Sequence, residues 1–396
     1  MAKYKVLIVG GGFGGVKAAL ELCDDPSFKI TLLSDDTDLR YYPTLYHTAT
    51  GGKKANSSIP LNKIFEGKKV SIVQGVAQSL DRKTKLVKTK AGDEYEYDYL
   101  IIGLGVVTNY FGISGLPEYS YSIKTQSEVE RFKKHLHQQL LDERKPDLHY
   151  VIVGAGPTGI ELAGALPKYL QYIMKNHDIK SQRIHIDLIE ALPRLLPRLP
   201  KHTSRLVAKH LKKLGIRLYL GKAVQGQTAD ELTVSGKPIR SHTVVWTAGV
   251  TNHPFFKEND FVITKRGKVS VDAYLQAEEN IFVIGDNSNT PYSGLAQTAL
   301  HDGVFVAKNL KRFSKNKQFK SYLAKEPITV IPAGPYWAAV IWGKVKLHGR
   351  PGWLLRQASE VVGFHDLQPW PKAAMQFMTQ FEAEDNCEVC AKATAS

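Results

Sequence analysis

The chain has 396 residues, 43% of them hydrophobic, which is enough apolar material for two or three buried cores and excludes a disordered or fibrous protein. Lysine and arginine outnumber aspartate and glutamate by 53 to 38, a formal charge of +15, so the surface suits polyanions such as phospholipid headgroups or nucleic acid, or an anionic substrate. Three cysteines, Cys23, Cys387 and Cys390, exclude a disulfide framework and fit a reducing compartment.

The N-terminal residues lead almost directly into a strand, Lys5 to Val9, so no secretory signal is expected. That strand ends in Gly10-Gly11-Gly12-Phe13-Gly14-Gly15, and a helix is predicted from Val16 to Leu22. A glycine fingerprint between strand and helix is a dinucleotide site. Gly10 makes the tight turn, Gly12 lets a pyrophosphate approach the backbone, and Gly15 lets the helix pack on the sheet; Phe13 and Gly14 lie within the same loop. A second strand is predicted at Ile30 to Leu33, followed by Ser34-Asp35-Asp36, where Asp35 is the candidate acceptor for an adenosine ribose. The alternative is that these aspartates solvate a loop. Tyr95 to Gly103 reads as a strand returning to this unit, and the turn-rich stretch from Gly112 to Pro117 reads as its exit.

The pattern then repeats. Val151-Ile152-Val153 runs into Gly154-Ala155-Gly156-Pro157-Thr158-Gly159, a helix is predicted to Met174, and a strand at Ile184 to Ile189 ends in Glu190. A carboxylate at that strand end accepts from a ribose diol and repels the extra phosphate of NADP, so the second site favours NADH, although Arg194 stands nearby. Thr243 to Gly249 reads as a strand and glycine turn, with Gly249 bringing backbone close to a cofactor. The chain next re-enters the first unit through strands at Val269 to Leu275 and Asn280 to Ile284, and the second of these ends in Gly285-Asp286. An aspartate at the carboxyl end of a parallel strand can accept from the ribityl hydroxyls of a flavin. The expected fold class is therefore α/β, with two Rossmann-like dinucleotide-binding domains, for FAD and NADH, plus a C-terminal membrane-association segment. The expected boundaries are 1–115 and 266–330 for the FAD domain, 116–265 for the NADH domain and 331–396 for the C-terminal region.

Four of the five tryptophans, Trp337, Trp342, Trp353 and Trp370, lie beyond residue 330. Trp370, Ala374, Phe377, Met378 and Phe381 form one helical stripe, and Leu354, Ala358, Val361 and Val362 form another, so two amphipathic helices are predicted. Lys344, Lys346, Arg350 and Arg356 accompany them, a composition suited to an anionic lipid surface. The plain alternative is internal packing or a homodimer face. No transmembrane segment is expected, because Pro327 to Gly343 is short and broken by prolines. Cys387-Glu388-Val389-Cys390 has the spacing of a redox dithiol, but it stands in a polar tail without a second pair of ligands, so no metal site is expected.

Several segments together resemble the type II NADH dehydrogenases, non-proton-pumping NADH:quinone oxidoreductases of the two-dinucleotide-binding flavoprotein superfamily. They are Tyr42 to Gly51, Tyr97 to Ile102 with Thr108 to Ile113, Gly156 to Ala163, Gly285-Asp286, and Ala296-Gln297-Thr298-Ala299. The resemblance covers about the first 310 residues. It implies FAD and NADH as cofactors, a membrane quinone as acceptor in a respiratory chain, and peripheral attachment to the cytoplasmic face of the cell membrane. It also implies Glu161 beside the nicotinamide, Ala296 at the flavin, and Gln297 as a donor to a quinone carbonyl. His301 stands where the family usually has glutamine or glutamate, and is a candidate proton donor; His47 similarly replaces a frequent glutamine. The alternatives are a soluble NAD(P)H-dependent reductase for a ferredoxin or other small acceptor, a sulfide:quinone oxidoreductase-like enzyme, and a basic flavoprotein that binds nucleic acid. Nothing resembles a base-reading module, so nucleic acid is not expected.

Overall fold

The computed structural model describes residues 3–142, 147–179 and 184–382. Its first sheet has six strands in the order Gln276–Glu278, Ile281–Val283, Tyr99–Ile102, Tyr4–Val9, Phe28–Ser34 and Val70–Gln74. All neighbours are parallel except the outermost pair, Gln276–Glu278 with Ile281–Val283. Val6 to Val9 and Leu100 to Ile102 are buried on both faces, which explains why they read as continuous apolar runs instead of alternating ones. Helices Phe13–Leu22 and Ala296–Phe313 cover one face and cross so closely that a Cβ on Gly303 would meet the Gly14 carbonyl at 2.4 Å.

The second sheet is a four-stranded parallel unit ordered Arg217–Leu220, His185–Glu190, His149–Val153 and Thr243–Trp246, with helix Pro157–Asn176 following its fingerprint. Two crossings join the units. They pair with each other as an antiparallel ribbon, Val106–Thr108 against Val250–Asn252. Asn287 clamps the root of the ribbon, accepting from Gly105 N at 2.8 Å and donating to the Gly105 carbonyl and to Asn252 Oδ1 at 2.6 Å each.

The structure corrects two expectations here. The chain re-enters the first unit well before residue 265, because Phe255, Phe256 and Phe261 pack in a core with Leu7, Val9 and Val283. No strand spans Val269 to Leu275; Val269 makes isolated bridges to Ile263 and Ser288, and the antiparallel edge is Gln276–Glu278.

The C-terminal region comprises a three-stranded antiparallel sheet, Thr329–Pro332, Ala338–Trp342 and Val345–Gly349, then helices Arg350–His365 and Trp370–Met378. It packs on both units. Ile331, Ala333 and Ala339 belong to the core of the second unit, whereas Phe364, Leu367 and Ala373 belong to that of the first. No described helix is long and apolar enough to cross a membrane.

Candidate active site

Both fingerprints have the geometry their glycines imply. Gly10 (φ +116°) and Gly154 (φ +106°) lie so close to the next strand that a Cβ would meet the Gly103 carbonyl at 2.3 Å and Ala248 Cα at 2.7 Å. Each must be glycine on both counts. A Cβ on Gly15 or Gly159 would strike the turn carbonyl of Gly10 or Gly154 at 2.0 and 1.9 Å. Gly12 and Gly156 differ, since a Cβ there would have nothing within 4 Å. The open positions are the ones where a pyrophosphate would lie against the first helical amides, so the residues present fit a dinucleotide at each site.

The strand ends differ between the two sites. Gly154 N donates to the Ile189 carbonyl at 2.7 Å, and Gly10 N donates to the Leu33 carbonyl at 2.8 Å, which makes Glu190 and Ser34 structural equivalents. Glu190 accepts from Ala155 N and Leu192 N, both at 2.9 Å, and so stands at the rim of the second fingerprint. Asp35 lies one residue beyond Ser34 and is ion-paired with Arg40 at 2.7 Å. Phe13 turns its ring into the core against Tyr41, leaving only its backbone toward the loop. Gly14 is a packing glycine under Ile284 and the Ala299 carbonyl. At Gly249 a Cβ would meet the Phe111 ring at 2.4 Å and the Asn109 carbonyl at 2.6 Å, so the packing of this loop requires glycine there.

Arg194 is withdrawn from coenzyme choice. Its Nη1 donates to the Leu196 carbonyl (3.1 Å), the Leu199 carbonyl (2.8 Å) and Ser204 Oγ (2.7 Å), and its Nη2 donates to the Pro197 carbonyl. A guanidinium spent on bracing its own loop is a poor receptor for a 2′-phosphate. Arg194→Ala is therefore expected to cost about 2–3 kcal/mol of stability, read as a lowered Tm, while the ratio of NADH to NADPH rates stays unchanged.

Gly285 (φ +66°) turns the chain after strand Ile281–Val283 and sets the position of Asp286. Burial pushes the Asp286 carboxyl up, and Lys268 and Lys124 oppose the shift. Burial also lowers the pKa of both lysines. The helix Ala296–Phe313 packs against this turn, and Ala296 supplies its first N-terminal amide.

Glu161 lies in the second turn of helix Pro157–Asn176, and burial pushes its carboxyl up to about 8 against the pull of Arg356; Glu360 reinforces the rise. Around it gather Tyr46, whose hydroxyl accepts from Arg356 Nη2 at 3.2 Å, and the buried Arg356–Glu360 ion pair. His47 is half-buried beside them, its pKa pushed down to about 4 by desolvation and by Arg356, Lys168 and Lys133, and its buried Nδ1 has no hydrogen-bond partner among the described residues. Gly52 makes room for that ring, as a Cβ would lie 2.2 Å from Nδ1. Sequence reasoning placed Arg356 on a lipid-facing surface, and Glu360 escaped it altogether. Both instead point inward with Gly352 and Phe364, at four-residue spacing, while Leu354, Ala358 and Val362 point out. Charge inside and hydrocarbon outside is the reverse of a soluble protein's surface helix, and the polar spacing of four was the available signal.

Gln297 and His301 are hydrogen-bonded to backbone farther along the chain. Gln297 Nε2 donates to the Ile328 carbonyl at 2.9 Å and its Oε1 accepts from Ile328 N at 3.0 Å, while His301 Nε2 donates to the Leu323 carbonyl at 2.9 Å. Two of the four C-terminal tryptophans are likewise used internally: Trp337 stacks on His210 at 4.4 Å and Trp353 meets Tyr336 edge-on at 5.2 Å. Trp342 and Trp370 remain 55% and 53% exposed. Cys23 is buried on the first fingerprint helix; Cys387 and Cys390 lie outside the described residues.

Comparison with known proteins agrees with this geometry. Residues 4–303 match the pyridine nucleotide-disulphide oxidoreductase family. Type II NADH:quinone oxidoreductases of Staphylococcus saprophyticus and Staphylococcus aureus are 25% and 26% identical over 367 residues, covering 86% of this chain and 90% of theirs. The structure of NDH2 from Plasmodium falciparum in complex with NADH superimposes with a TM-score of 0.85 at 18% identity, covering 96% of this chain and 98% of that one. The sulfide:quinone oxidoreductase of Aquifex aeolicus reaches 0.79 at 22% identity, covering 98% of both chains. With paired fingerprints, paired sheets and a family match over three quarters of its length, the chain belongs to the pyridine nucleotide-disulphide oxidoreductases.

Proposed function

We propose that this chain is an FAD-dependent NADH:quinone oxidoreductase held peripherally on the cytoplasmic face of a membrane, with no proton-pumping step. The observation that carries the acceptor reading is the reversed helix Arg350–His365, which turns Leu354, Ala358 and Val362 outward and its ion pair toward Glu161. Helix Trp370–Met378 extends the outward face with Trp370, Met375 and Met378, and Phe381 follows; Met375, Met378 and Phe381 are each more than half exposed. Such a face suits the acyl boundary of a bilayer, and Lys344, Lys346 and Arg350 supply cations for anionic headgroups.

Bound FAD would accept hydride from NADH and pass two electrons onward. The chain's own residues orient and shield. Gly12 and Gly156 would admit the two pyrophosphates, Asp35 and Glu190 would accept from the riboses, and Asp286 would accept from the ribityl hydroxyls. Burial pushes the Glu161 carboxyl up to about 8, beside Tyr46 and Arg356, so it would hold a proton for an acceptor carbonyl near neutral pH. The structural likeness to a sulfide:quinone oxidoreductase raises a second reading, but Cys23, the cysteine among the described residues, is buried in the core of the first unit.

Anaerobic stopped-flow tests the proposal. NADH is expected to bleach the flavin far faster than NADPH, and a short-chain quinone to restore the colour rapidly. Bleaching without reoxidation by quinone rejects the acceptor, and a colourless protein rejects the cofactor.

A further inference from the structure

After helix Ala296–Phe313 the chain doubles back along it as an extended strap, residues 318–328, with no regular secondary structure. Phe319 and Tyr322 pack the strap against the core of the first unit, whereas Leu323 is 80% exposed. Side chains of the helix clip its backbone as well. Asn309 closes a two-bond ring with Lys320 (Nδ2 to the carbonyl at 2.9 Å, N to Oδ1 at 3.0 Å), and Gln297 closes the same ring with Ile328. Between these clips stands Asp302, fully buried.

Asp302 has two partners that belong to different parts of the fold. Its Oδ1 accepts from the Tyr322 hydroxyl of the strap at 2.7 Å, and its Oδ2 accepts from Gly285 N at 2.9 Å. Gly285 is the positive-φ residue that sets the turn before Asp286. The ring of Tyr322 is fixed edge-on against Phe305 at 5.1 Å and beside His301 at 5.5 Å, so its hydroxyl reaches the carboxylate only while the strap is down. A buried carboxylate that loses one of two donors is poorly compensated, and the remaining bond must shift.

We propose that Asp302 is a positioning residue for FAD: it holds the Gly285–Asp286 turn in the shape that receives the ribityl chain, and Tyr322 makes that shape depend on closure of the strap. This inference deepens the FAD reading above and rests on it. The strap then acts on the flavin through the Tyr322 hydroxyl alone, and because Tyr322 N is separately anchored on the Ala273 carbonyl at 2.7 Å, it is the lifting of Tyr322 from Asp302 that loosens the cofactor.

Flavin release from the holoenzyme on dilution, followed by fluorescence, is the test, with hydrogen exchange of the strap and of the Gly285 amide measured in parallel. Tyr322→Phe removes one hydroxyl and keeps the ring, and is expected to speed release by about tenfold while raising exchange at Gly285. Asp302→Asn is expected to speed it at least as much, and the double variant no more than Asp302→Asn alone, because both act through one path. Asn309→Ala opens the distant clip and is expected to leave release within about twofold. Unchanged release in Tyr322→Phe, or equal acceleration by Asn309→Ala, overturns the coupling. A purified protein without flavin overturns instead the reading on which it rests.

Discussion

Replacing Leu354 and Val362 together with glutamate is expected to release the protein from anionic vesicles while NADH-driven flavin bleaching stays within about twofold of the parent. Both side chains point outward, 62% and 51% exposed, so the change disturbs no packing. Each loses about 1.5–3 kcal/mol of transfer into an apolar phase, and each new carboxylate is repelled by an anionic leaflet, so vesicle partitioning should fall at least about 100-fold. Co-sedimentation measures it. Retention on vesicles would refute the lipid-facing assignment, and a shift from dimer to monomer in solution would assign the stripe to a homodimer instead.

Glu161→Gln is expected to slow reoxidation by quinone about 100-fold and to leave flavin bleaching by NADH nearly unchanged, because the amide keeps a hydrogen-bonding group but carries no transferable proton. The parent enzyme's pH profile carries the same information. Burial raises the Glu161 pKa from the ordinary carboxyl range to about 8, so the group is protonated below that value and loses its proton as pH rises through it. Quinone reduction should therefore hold steady near neutrality and decline above about pH 8. The variant should lack this limb. The stability term has the same sign: what the neutral carboxyl contributes is complete below the unfolded-state pKa and is lost as pH rises through 8. Double-mixing stopped-flow from pH 6 to 10 separates the two half-reactions, and an unaltered alkaline limb in the variant would remove Glu161 from proton transfer.

What the sequence made legible was whatever depends on local chain geometry. Gly10, Gly15, Gly154 and Gly159 are dictated by contacts of under 3 Å within their own turns and neighbouring strands, so their spacing alone announces them. Glu190 follows from strand length, and both C-terminal helices follow from their stripes. The polar partners were not legible. Gln297 and His301 lie on the helix that the family motif marks, but they are hydrogen-bonded to a strap whose backbone returns 31 and 22 residues farther along, and no periodicity foretells that meeting. Arg356 illustrates a second limit. A stripe tells that a helix has two faces; which face turns inward depends on what waits there, and here Glu161 and Tyr46 wait for charge.

The paired crossings Val106–Thr108 and Val250–Asn252 have a consequence for biosynthesis. Every strand of the second sheet lies between them in sequence, so that sheet can form as soon as it has been translated, before Ile331, Ala333 and Ala339 arrive to complete its core. The first sheet cannot, because Ile281–Val283, which pairs with Tyr99–Ile102, is made only after the whole second unit. Domains fold as units during synthesis, and long-range pairing is slow. The half that comes later in the chain is thus expected to be native first on the ribosome. The earlier half would wait with the Tyr99–Ile102 edge open, a period in which chaperone contact or an early supply of its cofactor would matter most.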